Sequence, residues 1–335
     1  MAVSVREVAA LAGVSVGTVS NVLNRPEKVA DATVARVRGA IAQLGFVRND
    51  AARQLRAGSS RSVGLIVLDV RNPFFTDLAR GAEDQAAQVG LSVLLGNSDE
   101  NAARESAYLD LFEAQRVSGV LFSPIGDASE RIERLRARGI PSVLVDRPAD
   151  TARFSSVSVD DVLGGTLAVD HLSAIGRRNV AFVGGPQHIR QVSDRLTGAR
   201  RAVAGNAGVR LEIIDTESLT VLQGRRAGLS IGARRSVERP DAVFAANDLL
   251  ALGVLQGLAA SGIRVPDDIA LIGYDDIEFA ESASVSLSSV KQPARLIGEA
   301  ALQLLLDEIE TGDGFEHRHV RFEPGLIARE STGAR

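Results

Sequence analysis

The sequence contains no cysteine and no tryptophan, and it has only one methionine among 335 residues. Without cysteine, the chain has no disulfide bond, no thiolate zinc site and no cysteine nucleophile. No apolar run approaches the roughly 20 residues that a membrane-spanning helix needs, and the first residues lack the pattern of a signal peptide. We therefore expect a cytoplasmic globular protein, and the chain length predicts two or three domains.

The sequence also lacks common catalytic motifs: it has no GxxxxGK[ST] loop, no GxGxxG after a predicted strand and no GxSxG turn. Among the four histidines, His171 lies on a predicted helix between apolar neighbours, and His188 lies in a Gly-Pro loop. His317 and His319 alternate as a metal pair would, but no third ligand is evident and we favour a solvated strand face. We therefore predict neither an enzyme nor a bound metal or cofactor.

Charge is distributed unevenly along the chain. Residues 1–60 carry a net charge of +4, whereas the whole chain carries −4, so the remainder carries −8. A basic segment on an acidic protein is typical of a chain with one end that binds a polyanion. Charge alone leaves a chance fluctuation equally open.

Three short helices are predicted in this basic segment. Ser4 and Glu7 form a capping box for the first helix, which Gly13 ends. Ser15 caps the second helix, and the third follows Asp31. Three short helices with a tight turn between the first two form a helix-turn-helix unit.

The second predicted helix begins with small residues, although glycine destabilises a helix by roughly 1 kcal/mol relative to alanine. The N-terminal residues of such a helix lie nearest the base edges in the major groove. Val16 and Gly17 therefore let the backbone approach DNA, Val16 contacts a thymine methyl group and Asn21 bonds to a base edge. A small helical bundle with a solvated polar face is the alternative, and we favour DNA binding. Groups suited to phosphate oxygens occur in Ser15, Thr18, Ser20 and Asn24.

A short capped segment follows the third helix. Asn49 is a good N-cap and Gly58 ends the segment, which is too short for a stable isolated helix. Leu55 has no evident core to pack against, and Arg53 and Arg56 flank it. We predict a helix that forms on DNA beside its twin from a second subunit, with Leu55 as a wedge in the minor groove and Arg56 beside the DNA. An ordinary polar linker is the alternative.

From residue 61 onward, predicted strands alternate with helices. This alternation predicts parallel sheets with helices on both faces, and two series of strands indicate two doubly wound subdomains. Ligands of such sheets bind beyond the carboxyl ends of the strands. The predicted strands are 63–69, 91–97, 119–124 and 142–146, then 180–185, 211–215, 242–247 and 270–275.

Polar residues collect at the carboxyl ends of these predicted strands. Carboxylates, amides and arginine form paired hydrogen bonds with vicinal hydroxyls, and a phenylalanine ring packs on the apolar face of a sugar ring. Each residue alone is also explained by a loop cap or turn, but the repeated set predicts a ligand cleft. The candidates are Asn72, Phe74, Phe75, Asp146, Arg147, Arg195, Asn247, Asp275 and Gln292.

These motifs resemble the LacI/GalR family of bacterial transcription regulators, and the resemblance covers essentially the whole chain. The strongest matches are 5-VREVAALAGVSVGTVSNVLN-24 and 45-GFVRNDAARQLR-56. Two departures matter. The family usually has proline where Arg48 stands, so we expect a looser start of the hinge helix in this chain. Many members have arginine where Asn21 stands, so the operator sequence of better-known relatives does not apply to this chain.

The resemblance implies an α/β protein with an N-terminal DNA-binding head and a periplasmic-binding-protein-like core. The matching positions in the family line an effector cleft that takes a sugar, sugar phosphate or nucleoside. The implied divisions are a head at 1–47, a hinge at 48–60 and a core at 61–335, with subdomains at about 61–160 plus 290–322 and about 161–289 plus 323–335.

The implied function is that of a homodimeric repressor that binds a pseudo-palindromic operator in double-stranded DNA under the control of a small effector. A dimer is expected because one recognition helix reads only a few base pairs. Whether the effector releases or strengthens DNA binding stays open. The alternatives from other classes are a sugar-binding protein of a transport system, which needs no head, and a sugar-metabolising enzyme.

Overall fold

The computed structural model describes residues 3–46, 60–127, 129–149 and 153–333. The chain forms two compact units, Met1–Ser59 and Ser60–Arg335. The predicted hinge, including Asn49, Leu55 and Arg56, lies outside the described residues. Within the described ranges, no helix has the length and apolar character needed to span a bilayer.

The N-terminal unit is the predicted three-helix head. The Ser4 side chain accepts from the Glu7 amide while the Glu7 carboxylate accepts from the Ser4 amide at 2.7 Å, so the predicted capping box is confirmed. Gly13 ends the first helix with φ of +63°. The fully buried Val8, Val19 and Val37 form the centre of one small core. The helices are α1 (Val5–Ala12), α2 (Val16–Asn24) and α3 (Asp31–Leu44), with a 3₁₀ turn at Pro26–Lys28.

The second unit contains two sheets, and the first sheet with its helices is called the first lobe. All of its strand pairs are parallel, in the order β11-β5-β4-β3-β1-β2. The strands are β1 (Ser62–Val67), β2 (Ser92–Asn97), β3 (Val120–Phe122), β4 (Ser142–Val145), β5 (Ser155–Val159) and β11 (His319–Phe322). The helices are α4 (Pro73–Gln88), α5 (Ala102–Ala114), α6 (Ser129–Ala137) and α12 (Ala294–Thr311).

The second lobe contains the other sheet, in the order β12-β10-β9-β8-β6-β7. Only β12 runs antiparallel to its neighbour, β10, among the pairings of the described strands. The strands are β6 (Asn179–Val183), β7 (Arg210–Ile214), β8 (Ala242–Ala245), β9 (Ala270–Asp275), β10 (Ser288–Lys291) and β12 (Gly325–Ile327). The helices are α7 (Asp161–Ala174), α8 (Arg190–Gly205), α9 (Val221–Gly232), α10 (Asp248–Ala260) and α11 (Glu278–Glu281), with 3₁₀ turns at Ser236–Glu238 and Glu330–Thr332. A further 3₁₀ turn, Gly312–Gly314, follows α12 of the first lobe.

The predicted fold class is confirmed, and each of the eight predicted apolar runs forms a strand. The sequence interpretation did not count β5, β10 and β12, and it only suggested a strand at β11. The sequences SSVSV and SSVK of β5 and β10 are too polar to give an apolar run. Their serines are nevertheless buried and satisfied by hydrogen bonds, such as that from Ser288 Oγ to the Arg329 carbonyl at 3.2 Å.

The chain passes between the lobes three times: after β5, after β10 and after β11. Gln292, just after β10, stands at the second of these crossings. Because the long strands of both sheets are parallel, each lobe presents the carboxyl ends of its strands at one edge. Residues that directly follow β1, β4, β8 and β9 therefore become neighbours, and this edge contains the candidate site.

Candidate functional site

A cavity opens between the two lobes at the carboxyl ends of their strands. It encloses about 430 Å³ of empty space, including open solvent at its mouth. Seven of the nine predicted residues line it: Asn72, Phe74, Phe75, Asp146, Arg195, Asn247 and Asp275. The lining residues that sequence reasoning missed are Leu68, Asp69, Glu100, Ile189, Gln191 and Leu219.

Asp275 lies at the centre of the polar side of the cavity. Asn72 Nδ2 of the first lobe donates to Asp275 Oδ2 at 2.8 Å, and Gln292 Nε2 donates to Asp275 Oδ1 at 2.7 Å. Arg195 Nη2 lies 3.7 Å from the same Oδ1. Burial raises the pKa of Asp275, while Arg195 and the two amides lower it. Gln292 therefore lies outside the lining but holds the carboxylate that faces the cavity.

Arg195 is held by groups on several sides. Its Nε donates to Asp161 Oδ1 at 2.8 Å, its Nη1 donates to the Ala246 carbonyl at 2.7 Å, and its guanidinium carbon lies 3.7 Å from the centre of the Tyr274 ring. Burial alone lowers the pKa of Arg195, but the neighbouring carboxylates raise it, so the side chain stays cationic. Helices α7 and α8 pack closely because Gly165 has no side chain. A Cβ at this position would lie 2.0 Å from the Arg195 carbonyl oxygen.

Asp146 lines the cavity and has one carboxyl oxygen without a partner in the described part of the chain. Gln191 Nε2 donates to Asp146 Oδ2 at 2.8 Å and to the Asp146 carbonyl at 2.6 Å, which joins the lobes a second time. Oδ1 of Asp146 is buried without a partner among the described residues. Burial, and then the charge of Asp161, raise the pKa of Asp146 well above its ordinary value. Gln191 precedes Arg195 by one turn of α8, a spacing that places both on one helix face.

Both asparagines of the lining, Asn72 and Asn247, also cap helices. Asn72 Oδ1 accepts from the Phe74 amide at 3.1 Å, and Asn247 Oδ1 accepts from the Leu250 amide at 2.9 Å. The cap places each amide at the end of a strand, where the residue also lines the cavity. Arg147, in contrast, lies outside the lining, and its guanidinium donates to the Gly126 carbonyl.

The apolar part of the cavity is formed mainly by two aromatic rings. Phe74 and Phe75 are both buried, and their ring centres lie 5.0 Å apart in an edge-to-face arrangement at 73°. Leu68, Ile189 and Leu219 complete this side. A flat or ring-shaped ligand therefore meets an apolar wall on one side and hydrogen-bonding groups on the other.

An acidic group follows strands β1 and β2 near the cavity. Glu100 adopts a left-handed backbone with φ of +53°, and burial together with the charge of Asp69 raises its pKa to about 7. Arg71 Nε donates to Asp69 Oδ1 at 2.8 Å and Arg71 Nη2 donates to Asp99 Oδ1 at 2.7 Å. The polar run 98-SDEN-101 after a predicted strand was the sequence signal for Glu100, by the same argument that selected the other candidates.

The histidines take part in local contacts. His171 Nε2 lies 2.8 Å from Thr332 Oγ1. His317 Nδ1 and His319 Nδ1 lie 3.3 Å and 3.0 Å from the hydroxyls of Ser155 and Ser156. No group of three side chains suited to a metal occurs in the parts of the chain that the structure describes.

In the head, the first two residues of the predicted recognition helix α2 are exposed. Val16 is 43% exposed, and a Cβ added at Gly17 would meet only Ser15 Oγ, at 3.6 Å. Ser15 Oγ accepts from the Thr18 amide at 3.0 Å, which confirms its capping role. Asn21 is exposed. The Asn24 amide donates within the helix to the Ser20 carbonyl at 2.9 Å.

Comparison with known proteins matches both units of the chain. Residues 4–49 match the model of "Bacterial regulatory proteins, lacI family", and residues 169–332 match that of "Periplasmic binding protein-like domain". The head match ends within the segment that follows α3, and the second match includes most of the second lobe.

Similar proteins extend the match to the full chain. The HTH-type transcriptional repressor PurR of Aliivibrio fischeri (strain ATCC 700601 / ES114) is 31% identical over 335 residues, covering 99% of each chain. The ribose operon repressor of Bacillus subtilis (strain 168) is 36% identical over 307 residues, covering 92% of each. A crystal structure of the lac repressor dimer bound to operator and the anti-inducer ONPF has 27% identity, a TM-score of 0.84 and full coverage of both chains. The chain therefore belongs to the lacI family of bacterial regulatory proteins, which are DNA-binding transcriptional regulators and not enzymes.

Proposed function

We propose that this protein is a dimeric transcriptional repressor that acts in the cytoplasm. Its affinity for operator DNA depends on a small sugar-like effector. The observation that carries the proposal is the presence of a helix-turn-helix head and a two-lobed ligand cavity in one chain. The proposed division is a head at 1–47, a hinge at 48–60 and an effector-binding core at 61–335.

In the proposed DNA complex, the N-terminal end of α2 enters the major groove. The exposed Val16 and Gly17 leave room for close approach of the backbone, and Asn21 bonds to a base edge. Ser15, Thr18, Ser20 and Asn24 serve phosphate contacts; the Asn24 amide must then leave the Ser20 carbonyl or be shared with it. In the segment outside the described residues, Asn49 caps the hinge helix, Leu55 is the proposed wedge and Arg56 contacts the DNA.

In the proposed effector complex, a ring-shaped ligand lies against Phe74 and Phe75. Hydroxyl groups of the ligand bond to Asp146, Asp275 and neighbouring polar groups, while Asn247 contributes its amide. Arg147 and Gln292 support the site and do not contact the ligand, since neither lines the cavity. The ligand changes the affinity for DNA only as far as it binds one arrangement of the lobes better than another.

A dimer is supported by exposed apolar side chains at one edge of each sheet. Leu94 and Leu95 are 37% and 46% exposed on the edge strand β2, and Ile213 is 37% exposed on the edge strand β7. On α9, Leu222 is 58% exposed. Leu95→Glu with Leu222→Glu should shift sedimentation toward a monomer, whereas Ile175→Glu, at another exposed apolar site, should not.

The proposed function is tested by combining a duplex selection with a ligand screen. Selection from a randomised duplex pool should yield a pseudo-palindrome, and its affinity should fall steeply with salt because phosphate contacts release counterions. Thermal-shift screening against sugars, sugar phosphates and nucleosides should give at least one ligand, which should then change the affinity for that duplex. Absence of any preferred duplex would contradict repression, and turnover of a bound ligand would support the enzyme alternative.

The transport alternative shares the two-lobed core but gives no reason for the head. The match of residues 4–49 to the regulatory family favours the repressor. A chain without residues 1–60 should bind the ligand and lose all duplex binding, which separates the two functions of the two units.

A further inference from the structure

We propose that the cavity selects an effector that carries no anionic group and donates hydrogen bonds, and that Glu100 is the residue that rejects phosphorylated ligands. This inference rests on the proposed function of the cavity as the effector site, and it narrows the class of ligand. Free sugars and nucleosides fit it, and sugar phosphates and nucleotides do not.

The cation that lines the cavity is already neutralised. Arg195 is the only lysine or arginine in the lining, counted over the described residues. Its Nε and Nη1 donate to Asp161 and to the Ala246 carbonyl, its Nη2 faces Asp275, and its planar face lies on Tyr274. A phosphoryl group that accepted from Nη2 would come close to the Asp275 carboxylate, whose Oδ1 lies 3.7 Å from that nitrogen, and the two negative charges would repel each other.

Two arginines that follow strands of the first lobe, Arg71 and Arg147, also have partners. Arg71 follows β1 and binds Asp69 and Asp99 at once, with donor–acceptor distances of 2.8 Å and 2.7 Å. Arg147 follows β4 and donates to the Gly126 carbonyl. Neither lines the cavity. A phosphoryl group in the cavity therefore meets no arginine that lacks a carboxylate or carbonyl partner.

Acceptors, in contrast, are in excess. Four carboxylates line the cavity, namely Asp69, Glu100, Asp146 and Asp275. Asp146 Oδ1 is buried and has no partner, and the partly buried Glu100 side chain forms no hydrogen bond within the described ranges. Buried acceptors without partners are expected to be satisfied by a donor, and hydroxyl or amino groups of a neutral ligand supply one.

Glu100 is the carboxylate best placed to reject a second negative charge. Asp69 forms a salt bridge with Arg71, and Asp275 lies 3.7 Å from Arg195, whereas Glu100 is affected by the charge of Arg71 but forms no salt bridge within the described residues. Its raised pKa of about 7 shows that nearby negative charge and burial already disfavour its ionised form. A phosphoryl group a few ångströms away would weaken binding by up to about tenfold at about pH 8, because a carboxyl with a pKa of about 7 then takes up a proton instead of staying ionised beside it.

The test compares neutral ligands with their phosphorylated counterparts on the full chain. Calorimetric titrations at about pH 8, where a carboxyl with a pKa of about 7 is mostly ionised, would use D-ribose with ribose 5-phosphate, D-glucose with glucose 6-phosphate, and adenosine with AMP. The neutral member of a pair should bind about tenfold more tightly. Glu100→Gln should reduce that ratio severalfold, and Glu83→Gln, at an exposed glutamate of α4, should leave it unchanged.

The outcomes separate this inference from the proposed function. Equal or tighter binding of a phosphorylated member would overturn the inference and leave the effector function standing. An unchanged ratio in Glu100→Gln would show that another residue rejects the anion. Binding of no sugar, nucleoside or phosphorylated counterpart, in a chain that still unfolds cooperatively, would contradict the proposed effector class and the inference together.

Discussion

Asn72 Nδ2 of the first lobe donates to Asp275 Oδ2 of the second at 2.8 Å, across 203 residues of sequence. Both groups are buried and line the cavity. The same Asn72 caps α4 through its Oδ1, which accepts from the Phe74 amide. One side chain therefore fixes a helix end and joins the two lobes, so a ligand that competes for Asp275 acts directly on the contact between the lobes.

Asn72→Ser separates these two roles, because serine keeps a capping oxygen and removes the amide donor. Asp275 then loses one partner for a buried oxygen, and the free energy of unfolding of the core should fall by about 1–3 kcal/mol. The matched control is Asn101→Ser, which changes a residue that only caps α5. Urea denaturation should show the loss for Asn72→Ser and little change for Asn101→Ser; equal effects would mean that the bond to Asp275 contributes nothing.

Arg195→Ala is expected to act on the fold as well as on the ligand. The substitution leaves Asp161 and Asp275 buried with their cation removed, which should destabilise the core by about 3–5 kcal/mol. Arg264→Ala removes an exposed ion pair with Asp268 and should leave stability nearly unchanged, because solvent screens exposed pairs. Thermal denaturation of both variants checks this. Near-wild-type stability of Arg195→Ala would show that the two carboxyls take up protons instead.

The pH dependence of stability should report Glu100. Its folded pKa of about 7 lies above the ordinary value of 4.5, so the folded state binds a proton more tightly than the unfolded chain. The free energy of unfolding therefore falls as pH rises from 4.5 to about 7 and levels off above that. Because Glu100 is partly exposed, the total loss is discounted to about 1–2 kcal/mol.

Glu100→Gln removes this pH dependence of the free energy of unfolding. The variant should be more stable than the wild type at about pH 8, and the difference should shrink toward zero at about pH 4.5. Glu83→Gln, at an exposed position, should follow the wild type at both values. Urea denaturation at several pH values measures the difference, and a gap between variant and wild type that does not grow with pH would contradict the assigned pKa.

The sequence predicted the class of fold and most of the cavity because those features follow from local patterns. Apolar runs of strand length predicted eight strands, and the polar residues that follow them, together with Phe74 and Phe75, gave seven of the lining residues. Serine-rich strands such as β5 gave no such pattern, since hydrogen bonds made only in the folded state allow their burial. Gln191 and Asp161 were missed for a related reason: each acquires its role through a partner more than 30 residues away, Asp146 and Arg195 respectively.

Gly17→Ala tests whether the glycine of the recognition helix is kept for DNA. A Cβ at Gly17 meets only Ser15 Oγ, at an ordinary contact distance of 3.6 Å, so the fold accepts alanine. Helix propensity should then stabilise the head by up to about 1 kcal/mol.

Gly39→Ala is the matched control, because Gly39 is exposed on α3 and a Cβ there meets nothing within 4 Å. Both variants should raise the stability of the head, but only Gly17→Ala should weaken binding to the selected duplex, by about tenfold, because the added methyl occupies the surface that approaches the bases. Fluorescence anisotropy with the duplex, beside thermal denaturation of the head, measures the two effects separately. If Gly17→Ala bound the duplex as tightly as Gly39→Ala does, then α2 would not approach the bases through its first turn.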